Sequence, residues 1–369
     1  MTNHLSRRDR LRSKLNEAKI DALLVSYSTN VQYLCGFTGG ASYLIVGRSG
    51  DMLVSDGRFT EQIADEAPGV PLHIRTTKET TLEALGTVIE KMGLRNVGFE
   101  SARLTVADFE SLKEKLKSVN WAPTQSLVES QRAVKDESEL AILRRAIVVA
   151  ENVYEQFRAE LRPEDTELEL ADRVEALARK LGGRGTSFET IAAVEDRSAL
   201  AHAPPTTRTA GSGGWLLLDW GAIVDGYRSD LTRLLIWRKP PVPSAGAGDR
   251  LQKAYAAVLA ARDAALTKMR PGVACKEVDA AARAALEKFG LADKFTHGLG
   301  HGLGLETHEK PGLRANSEEV LASGMVVTIE PGVYEAGWGG VRIEDDILIT
   351  PDGPEFMSHL AYDFESAFI

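Results

Sequence analysis

The sequence predicts a protein of the α/β (α+β) class with two domains, and three observations support this prediction. The chain has 369 residues, which is more than one compact core usually contains. Helical and strand patterns alternate through the first third of the chain. A plan of two helices followed by strands then occurs twice in the remainder. We therefore expect a smaller domain at residues 1–130 and a larger domain at residues 131–369.

The elements of the first domain follow from short apolar runs and from their spacing. The domain ends near residue 130, after the sequence Trp121-Ala122-Pro123. The hydrophobic periodicity predicts helices at 6–18 and 60–66, and strands at 22–25, 43–46 and 97–99. This succession is typical of a small α/β domain.

The second domain opens with a long helix, for which Asp136 is a suitable N-cap and Leu140, Leu143 and Ile147 recur at helical spacing. Two helical pairs then share one plan, in which Arg-Pro separates the helices and the second helix stops at glycine. The Arg-Pro pairs are Arg162-Pro163 and Arg270-Pro271. We expect two similar α/β halves, at 137–237 and 247–350, with a chance likeness of two helical hairpins as the alternative.

Composition excludes several classes of partner. The formal net charge is −9, and the one basic run, at residues 7–14, is interrupted by Asp9 and Leu11, so we expect no nucleic-acid partner. The two cysteines, Cys35 and Cys275, have no metal-type spacing and suit a reducing compartment. We find no signal peptide and no membrane-spanning run. We therefore expect a cytoplasmic protein without a membrane partner.

Two aspartates are predicted to share one face of a strand hairpin. The sequence WLLLDWGAIVDGYRSDLTRLLIW contains two apolar strands joined by Asp225-Gly226, which favours a tight turn. A two-residue loop places Asp219 opposite Thr232, and Asp230 then projects from the same face. Unpaired acids among apolar strands are unfavourable, so a cation is implied. An exposed hairpin face is the alternative, which the flanking LLL and LLI runs disfavour.

A second acidic pair occurs at the corresponding place in the other half. MVVTIEPGVY is an apolar strand that ends at Glu330, and GVRIEDDILIT is a strand with Glu344 in its middle. The region from Gly337 to Gly340 turns the chain between them. If the halves pack about a pseudo-twofold axis, four carboxylates converge. Two divalent cations would then balance their four negative charges.

Three of the seven histidines lie between these hairpins, in THGLGHGLGLETHEKPG. They are His297, His301 and His308. The many glycines oppose a helix, so this is not the helical His-Glu-x-x-His zinc motif. We expect the glycines to let the backbone approach a metal or a substrate closely. A structural loop role is the alternative for any one of these histidines.

Carboxylates with one imidazole suit hard to borderline divalent ions. We expect Mn²⁺ first, with Co²⁺, Zn²⁺ or Fe²⁺ as alternatives. Two such ions ~3.5–4 Å apart can hold a bridging water as hydroxide and polarise a carbonyl group. The implied chemistry is hydrolysis.

These motifs, taken in order, resemble a known family. The succession of Asp219 with GYRSDLTR, HGLGHGLGLETHEKPG, TIEPGVY and GVRIEDD is similar to the pita-bread metallopeptidases of the creatinase and aminopeptidase P type, in their Xaa-Pro aminopeptidase and prolidase branch. The segments NVQYLCGFTGG and SDGRFTEQ resemble the creatinase-type N-terminal domain of the same proteins. The resemblance implies a creatinase-like domain followed by a pita-bread catalytic domain with a pseudo-twofold internal repeat.

The resemblance also implies a role for each motif residue. Asp219 would bind one metal ion, Asp230 and Glu344 would bridge two, and His301 and Glu330 would bind the other. Glu330 would also shuttle a proton to the leaving amine. The remaining implied residues face the substrate: His202, His297 and His308 hold the scissile carbonyl and stabilise the tetrahedral intermediate, and Tyr334 and Arg342 line the site. A packed tyrosine and a salt-bridged arginine are the alternatives for the last two.

The implied activity is release of the N-terminal residue from peptides with proline at the second position. A dipeptidase acting on Xaa-Pro dipeptides is the closest alternative. A non-catalytic pita-bread binding protein and a metal-free creatinase-like amidinohydrolase are further alternatives. The resemblance also implies a homodimer.

One loop departs from the pattern of the family. Where the family commonly has a Gly-x-Asn turn, this chain has AVEDRSALAHAPP, with Glu195, Asp196 and Arg197. We expect this loop to border the substrate side of the site. The preferences for peptide length and for proline therefore stay open.

Overall fold

The computed structural model describes residues 3–238 and 248–369. The chain forms two compact units, Met1–Arg132 and Ala133–Ile369. Within the described ranges, every helix is too short or too polar to span a membrane. The predicted start of the second repeat, residue 247, lies outside the described residues.

The first unit is built on a mixed sheet of six strands. These are β1 (Ala22–Val25), β2 (Tyr43–Gly47), β3 (Asp51–Asp56), β4 (Leu72–Arg75), β5 (Asn96–Glu100) and β6 (Asn120–Thr124). Their order is β4-β3-β2-β1-β5-β6. Strand β1 pairs antiparallel with β2 and parallel with β5, and all four of its residues are buried. A continuous apolar strand is typical of this central position.

Helices pack on this sheet. They are α1 (His4–Glu17), α2 (Ser28–Cys35), α3 (Thr60–Glu66), α4 (Thr81–Lys91), α5 (Val106–Lys115) and α6 (Glu129–Arg132). Helix α4 begins with a capping box between Thr80 and Glu83, and it buries Leu85 and Ile89 in the apolar core. The helices predicted at 6–18 and 60–66 and the strands predicted at 22–25, 43–46 and 97–99 are confirmed.

The second unit contains two helical pairs. The first pair is α7 (Glu137–Glu160) and α8 (Glu167–Lys180), and the second pair is α9 (Asp249–Leu266) and α10 (Cys275–Glu287). Asp136 caps α7 as predicted, by accepting a hydrogen bond from the backbone of Glu139. Glycines with positive φ follow the second helix of each pair, Gly182 at +100° and Gly290 at +70°. The predicted repeat of two helical hairpins is confirmed.

Strands follow each helical pair. The first half contains β7 (Ile191–Val194), β8 (Trp215–Trp220), β9 (Ile223–Val224), β10 (Tyr227–Arg228) and β11 (Leu231–Ile236). The second half contains β12 (Gly300–Gly302), β13 (Glu309–Leu313), β14 (Val326–Ile329), β15 (Gly332–Glu335), β16 (Gly339–Arg342), β17 (Asp345–Thr350) and β18 (Gly353–Phe356). The larger sheets have the orders β11-β8-β7 and β13-β12-β14-β17-β18, and β9-β10 and β15-β16 form separate ladders.

Strand β8 is buried on both faces, and the alternation of its side chains determines which face carries Asp219. Leu216, Leu218 and Trp220 join the apolar cluster of α7 and α8. Trp215 and Leu217 instead join a cluster that includes residues of β14, β17, α9 and α10. Because side chains alternate along a strand, Asp219 projects on the side of Trp215 and Leu217, toward the second half.

The prediction of one continuous strand through GVRIEDDILIT is wrong. Strand β16 ends at Arg342 and β17 begins at Asp345, so Glu344 lies in a break between them. The backbone of Glu344 forms an isolated antiparallel bridge with Thr232, and its N–H donates to the Thr232 carbonyl at 3.2 Å. The break therefore frees a backbone group of the second half to bond to the first half.

Candidate active site

The first hairpin places two aspartates on one buried face. Val224 pairs with Tyr227, and Asp219 pairs with Thr232, so the predicted register is confirmed. The turn residues have positive φ, +47° at Asp225 and +87° at Gly226, as a tight two-residue hairpin turn requires. Asp219 and Asp230 are buried, with relative solvent exposures of only 7% and 4%.

The second hairpin brings its two glutamates opposite each other. Ile329 pairs with Asp345 before the break in the ladder, and Gly332 pairs with Arg342 after it. The same register across the break places Glu330 opposite Glu344. Asp230, Glu330 and Glu344 thus lie at breaks between strands, whereas Asp219 lies within the regular ladder of β8.

The acids of the two halves meet around His301. One ligand atom from each of Asp230, His301 and Glu344 lies within 4.8 Å of the others. His301 Nε2 lies 3.5 Å from Glu330 Oε1 and 3.7 Å from Asp230 Oδ2. The Thr232 hydroxyl donates to Glu344 Oε2 at 2.6 Å, across the junction between the halves. The structure therefore brings together residues that lie more than a hundred positions apart in the sequence.

Burial opposes charge throughout this cluster. It raises the pKa of Asp230 and of Glu344 well above the ordinary range, and the neighbouring acids raise both further. Burial also raises the pKa of Glu330 to about 8, although its side chain keeps 17% exposure. The pKa of His301 is lowered to about 3, first by burial and then by His308. His301 is therefore neutral at physiological pH.

The tautomer of His301 shows that the cluster fits a cation. Its Nδ1 lies 3.1 Å from the carbonyl oxygen of Gly302, so Nδ1 carries the proton and donates. The lone pair on Nε2 then points at the oxygens of Asp230 and Glu330, an arrangement that needs a metal ion or a proton between them. Asp219 Oδ1 is also buried, and no described residue donates a hydrogen bond to it. These donors suit divalent metal ions.

A chain of hydrogen bonds runs from Asp219 away from the acids. Arg342 donates through Nη2 to Asp219 Oδ2 and through Nη1 to Tyr334 Oη at 2.8 Å. Tyr334 Oη lies 2.8 Å from His297 Nε2, and His297 Nδ1 lies 2.8 Å from the Gly298 carbonyl. Because Nδ1 must donate to that carbonyl, the Tyr334 hydroxyl donates a hydrogen bond to His297 Nε2. Burial lowers the pKa of His297 to about 4 and raises the pKa of Tyr334 to about 12.

The acid cluster opens into a cavity of about 930 Å³. His202 and His308 line it and are both exposed. The ring of His308 lies 4.3 Å from that of His301, centroid to centroid. All the sequence-predicted site residues line this cavity except Tyr334, which lies behind Arg342 and His297.

The loop AVEDRSALAHAPP borders the cavity as expected, through residues 201–204, whereas Glu195, Asp196 and Arg197 do not line it. Arg197 instead pairs with the buried carboxylate of Glu167, and Asp196 pairs with Arg208. The charged side chains turn away because their partners lie on α8 and on the segment that follows His202.

Two polar residues of the site were missed by sequence reasoning. Thr232 binds both Glu344 and Arg342, and Asp346 Oδ2 accepts a hydrogen bond from the backbone of Asp230 at 3.2 Å. The hairpin register could have found Thr232, because it pairs with Asp219 on the same face. No local signal in the sequence distinguishes Asp346 from its neighbour Asp345, which pairs with Arg233 instead.

Two family models match this chain. A family model described as Metallopeptidase family M24 matches residues 141–351, which is more than half of the chain. The chain belongs to metallopeptidase family M24. A second family model, described as Creatinase/Prolidase N-terminal domain, matches residues 7–134 of this M24 protein. The predicted family and the prediction of a metallo-exopeptidase are confirmed.

Relatives of the M24 protein match it over nearly its full length. A protein named Xaa-Pro dipeptidase from Pyrococcus horikoshii is 33% identical over 341 residues, covering 92% of this chain and 93% of the relative. A solved structure of an Xaa-Pro dipeptidase from Bacillus anthracis has a TM-score of 0.91 and 33% identity, covering 98% of this chain and 99% of that one. An X-Pro aminopeptidase structure from Thermotoga maritima has a TM-score of 0.85 and 28% identity, with coverage of 95% and 99%.

These likenesses confirm the predicted fold, a creatinase-type N-terminal domain and a pita-bread domain. Membership of this family also confirms the cofactor prediction in its general form, namely divalent metal ions.

Proposed function

We propose that this M24 enzyme hydrolyses the peptide bond in front of proline and releases the N-terminal residue of Xaa-Pro peptides. The observation that carries the proposal is the His301 lone pair directed at acids from both hairpins, at the base of one cavity. The proline preference is supported by the names of relatives that match almost the whole chain.

Five residues would hold the metal ions in this proposal: Asp219, Asp230, His301, Glu330 and Glu344. We propose two divalent ions per chain, Mn²⁺ before Co²⁺, Zn²⁺ or Fe²⁺, because carboxylates outnumber the single imidazole. When bound, such a pair supplies an activated water and polarises the scissile carbonyl.

The remaining groups hold the substrate and move protons. Glu330 is suited to accept the proton of water and pass it to the leaving nitrogen, because its carboxyl group lines the cavity and keeps 17% exposure. His202 and His308 reach into the cavity and would donate hydrogen bonds to the carbonyl oxygen. His297 Nε2 already accepts a hydrogen bond from the Tyr334 hydroxyl, so its first role is to orient Tyr334 and, through it, Arg342.

A peptide panel tests this proposal. The purified protein is supplied with Mn²⁺ and incubated with matched Xaa-Pro and Xaa-Ala peptides of two, three and five residues. We expect cleavage of the Xaa-Pro bond at every length, loss of activity with a chelator and its return with Mn²⁺. No cleavage of any Xaa-Pro peptide, or equal cleavage of the Xaa-Ala set, would contradict the proposal.

An Xaa-Pro dipeptidase is the second candidate. The relative and the solved structure with 33% identity both carry that name, whereas the aminopeptidase structure has 28% identity. In the same panel, a strong preference for the two-residue peptide would favour the dipeptidase over the aminopeptidase.

Three finer predictions accompany this proposal. Mn²⁺ as the native ion is tested by metal analysis of the protein purified without added metal. A homodimer is tested by light scattering of the purified protein, and a cytoplasmic location by fractionation of the source cells.

A further inference from the structure

The loop that carries His202 is fixed at both ends to one buried carboxylate. The Glu167 side chain is fully buried in the first turn of α8. Its Oε1 accepts from the backbone N–H of Val194, at 2.9 Å, where β7 ends. Its Oε2 accepts from the backbone N–H and the hydroxyl of Thr206, at 2.9 Å and 2.6 Å. The loop of eleven residues between Val194 and Thr206 is therefore closed by a single side chain.

Arg197 completes this closure from inside the loop. Its Nε lies 2.8 Å from Glu167 Oε2 and 3.0 Å from Oε1, and its Nη2 donates to the carbonyl oxygen of Pro204 at 2.5 Å. The guanidinium therefore connects Glu167 to the residue two positions after His202. The position of Glu167 at a helix N-terminus also favours its negative charge.

The other side of the loop is attached to the strand that carries Arg342. The Ser198 hydroxyl accepts from the backbone N–H of Gly340, at 2.7 Å, and from the indole N–H of Trp215, at 3.1 Å. The loop is thus held between α8 and β16. Two independent anchors fix its backbone next to the acid cluster.

His202 depends on this backbone for its placement. Its ring is exposed, lines the cavity and forms no hydrogen bond with another residue of the described ranges. We propose that the Glu167–Arg197 pair is a positioning device, which fixes the His202 loop so that the imidazole meets the substrate carbonyl. The catalytic part of this inference rests on the proposed function. It gives a role to the charged residues that replace the Gly-x-Asn turn expected from the resemblance.

Kinetics of a double-mutant cycle test the coupling. Arg197→Met keeps an unbranched apolar stem but removes both contacts, and we expect kcat to fall roughly tenfold to a hundredfold, because small misplacements of a reacting group have effects of this size. KM and the metal content should stay close to wild type. In a His202→Ala background the same change should have little further effect on kcat. Equal losses of kcat in both backgrounds would overturn the proposal.

Two further variants separate positioning from general damage. Asp196→Ala removes the neighbouring exposed pair with Arg208 in the same loop and should keep wild-type kcat. Arg197→Lys keeps the charge but cannot reach Glu167 and Pro204 together, so an intermediate kcat is expected. If Arg197→Met does not fold, the cycle is run with Arg197→Lys.

An NMR measurement that does not depend on activity separates the positioning role of Arg197 from the proposed function. The imidazole Cε1–H resonance of His202, assigned by its loss in His202→Ala, should shift in Arg197→Met and stay in place in Asp196→Ala. An unchanged resonance in Arg197→Met would overturn the positioning role, whatever the enzyme cleaves. An inactive wild type with the expected shift would instead overturn only the proposed function and leave the anchoring of the loop supported.

Discussion

Thr232 shows how one hydroxyl can order two groups of the site. Its Oγ1 donates to Glu344 Oε2 at 2.6 Å and accepts from Arg342 Nε at 3.1 Å. Arg342 in turn holds Asp219. A predicted ligand from each half therefore depends on this side chain, which is itself fully buried. Groups that orient ligands in this way contribute to metal affinity without contacting the metal.

Thr232→Val tests this dependence, because valine has nearly the same shape and no hydroxyl. We expect the affinity for Mn²⁺ to fall roughly tenfold to a hundredfold, the usual effect of removing a partner that orients a ligand. Titration calorimetry of the metal-free protein with Mn²⁺ measures the change. Thr232→Ser keeps the hydroxyl and is the control. Wild-type affinity in the valine variant would show that Thr232 is only a packing residue.

Substitutions of Asp230 and of His202 should have different effects, the first on metal binding and the second on turnover. Asp230→Asn removes a negative charge at the centre of the cluster, so metal occupancy after dialysis should drop sharply. His202→Ala should retain the metal ions and lose most, but not all, of its turnover, because His202 lies at the cavity wall and outside the group of Asp230, His301 and Glu344. Elemental analysis measures the metal content of both variants, and an activity assay measures their turnover. Metal loss in the His202 variant would contradict this assignment of roles.

At the scale of elements, glycines allow β12 to pack closely between its neighbours. A Cβ at Gly300 would lie 2.1 Å from the Thr328 carbonyl oxygen, and a Cβ at Gly302 would lie 2.0 Å from that of Lys310. We expected these glycines to allow close approach to a metal or substrate. At these two positions the close partners are the backbones of β13 and β14, and Gly300 also lines the cavity. Strand β12 carries His301, so this packing also sets the position of the imidazole relative to the acids.

Gly300→Ala should therefore disturb both stability and the site. No flexible side chain can yield to the new methyl group, so we expect a loss of about 3 kcal/mol in unfolding free energy, the upper part of the range for overpacking. Weaker Mn²⁺ binding should accompany it. Urea unfolding and metal titration measure the two effects. Gly57→Ala, where a Cβ meets no heavy atom within 4 Å, is the control. Equal stability of the two variants would contradict the packing argument.

At the scale of the whole molecule, the buried acids are a liability for folding without a cation. Asp230, Glu330 and Glu344 all have raised pKa values, with burial as the largest cause. In the unfolded chain these groups are ionised at pH 7, whereas their raised pKa values favour retention of protons in the metal-free folded protein. The folded state then binds more protons, so its stability falls as pH rises. Burial lowers the pKa of His297, His301 and His308, which opposes this slope, but only weakly above pH 7, where unfolded histidines are mostly neutral.

The metal-free protein should thus become less stable between pH 7 and pH 8, by on the order of 1 kcal/mol for each proton that the folded state retains. Divalent ions replace those protons, so the difference in Tm between the Mn²⁺-loaded and chelated forms should widen over this range. Thermal unfolding at pH 7.0, 7.5 and 8.0 measures it. A constant difference would show that the acids are ionised in the metal-free fold.

Local patterns predicted most of the elements and one face of the site. The Asp225-Gly226 turn determines the register of its hairpin, and the register determines that Asp219 and Asp230 share a face. Both steps depend on residues close in sequence, where turn geometry and side-chain alternation are sufficient. The break at Glu344 could not be predicted in this way, because its cause is a backbone bridge to Thr232 in the other half.

The sequence by itself determined the class of this protein, its repeated halves and the chemical types that a metal site needs, since these follow from periodicity, turn residues and the order of motifs. Only the tertiary structure decided that Arg342 holds Asp219, that Thr232 connects Arg342 to Glu344, and that Arg197 turns from the cavity to Glu167. The physical reason is distance along the chain. Contacts between residues thirty to more than a hundred positions apart are set by how whole elements pack, and a buried charge takes the partner that this packing brings within reach.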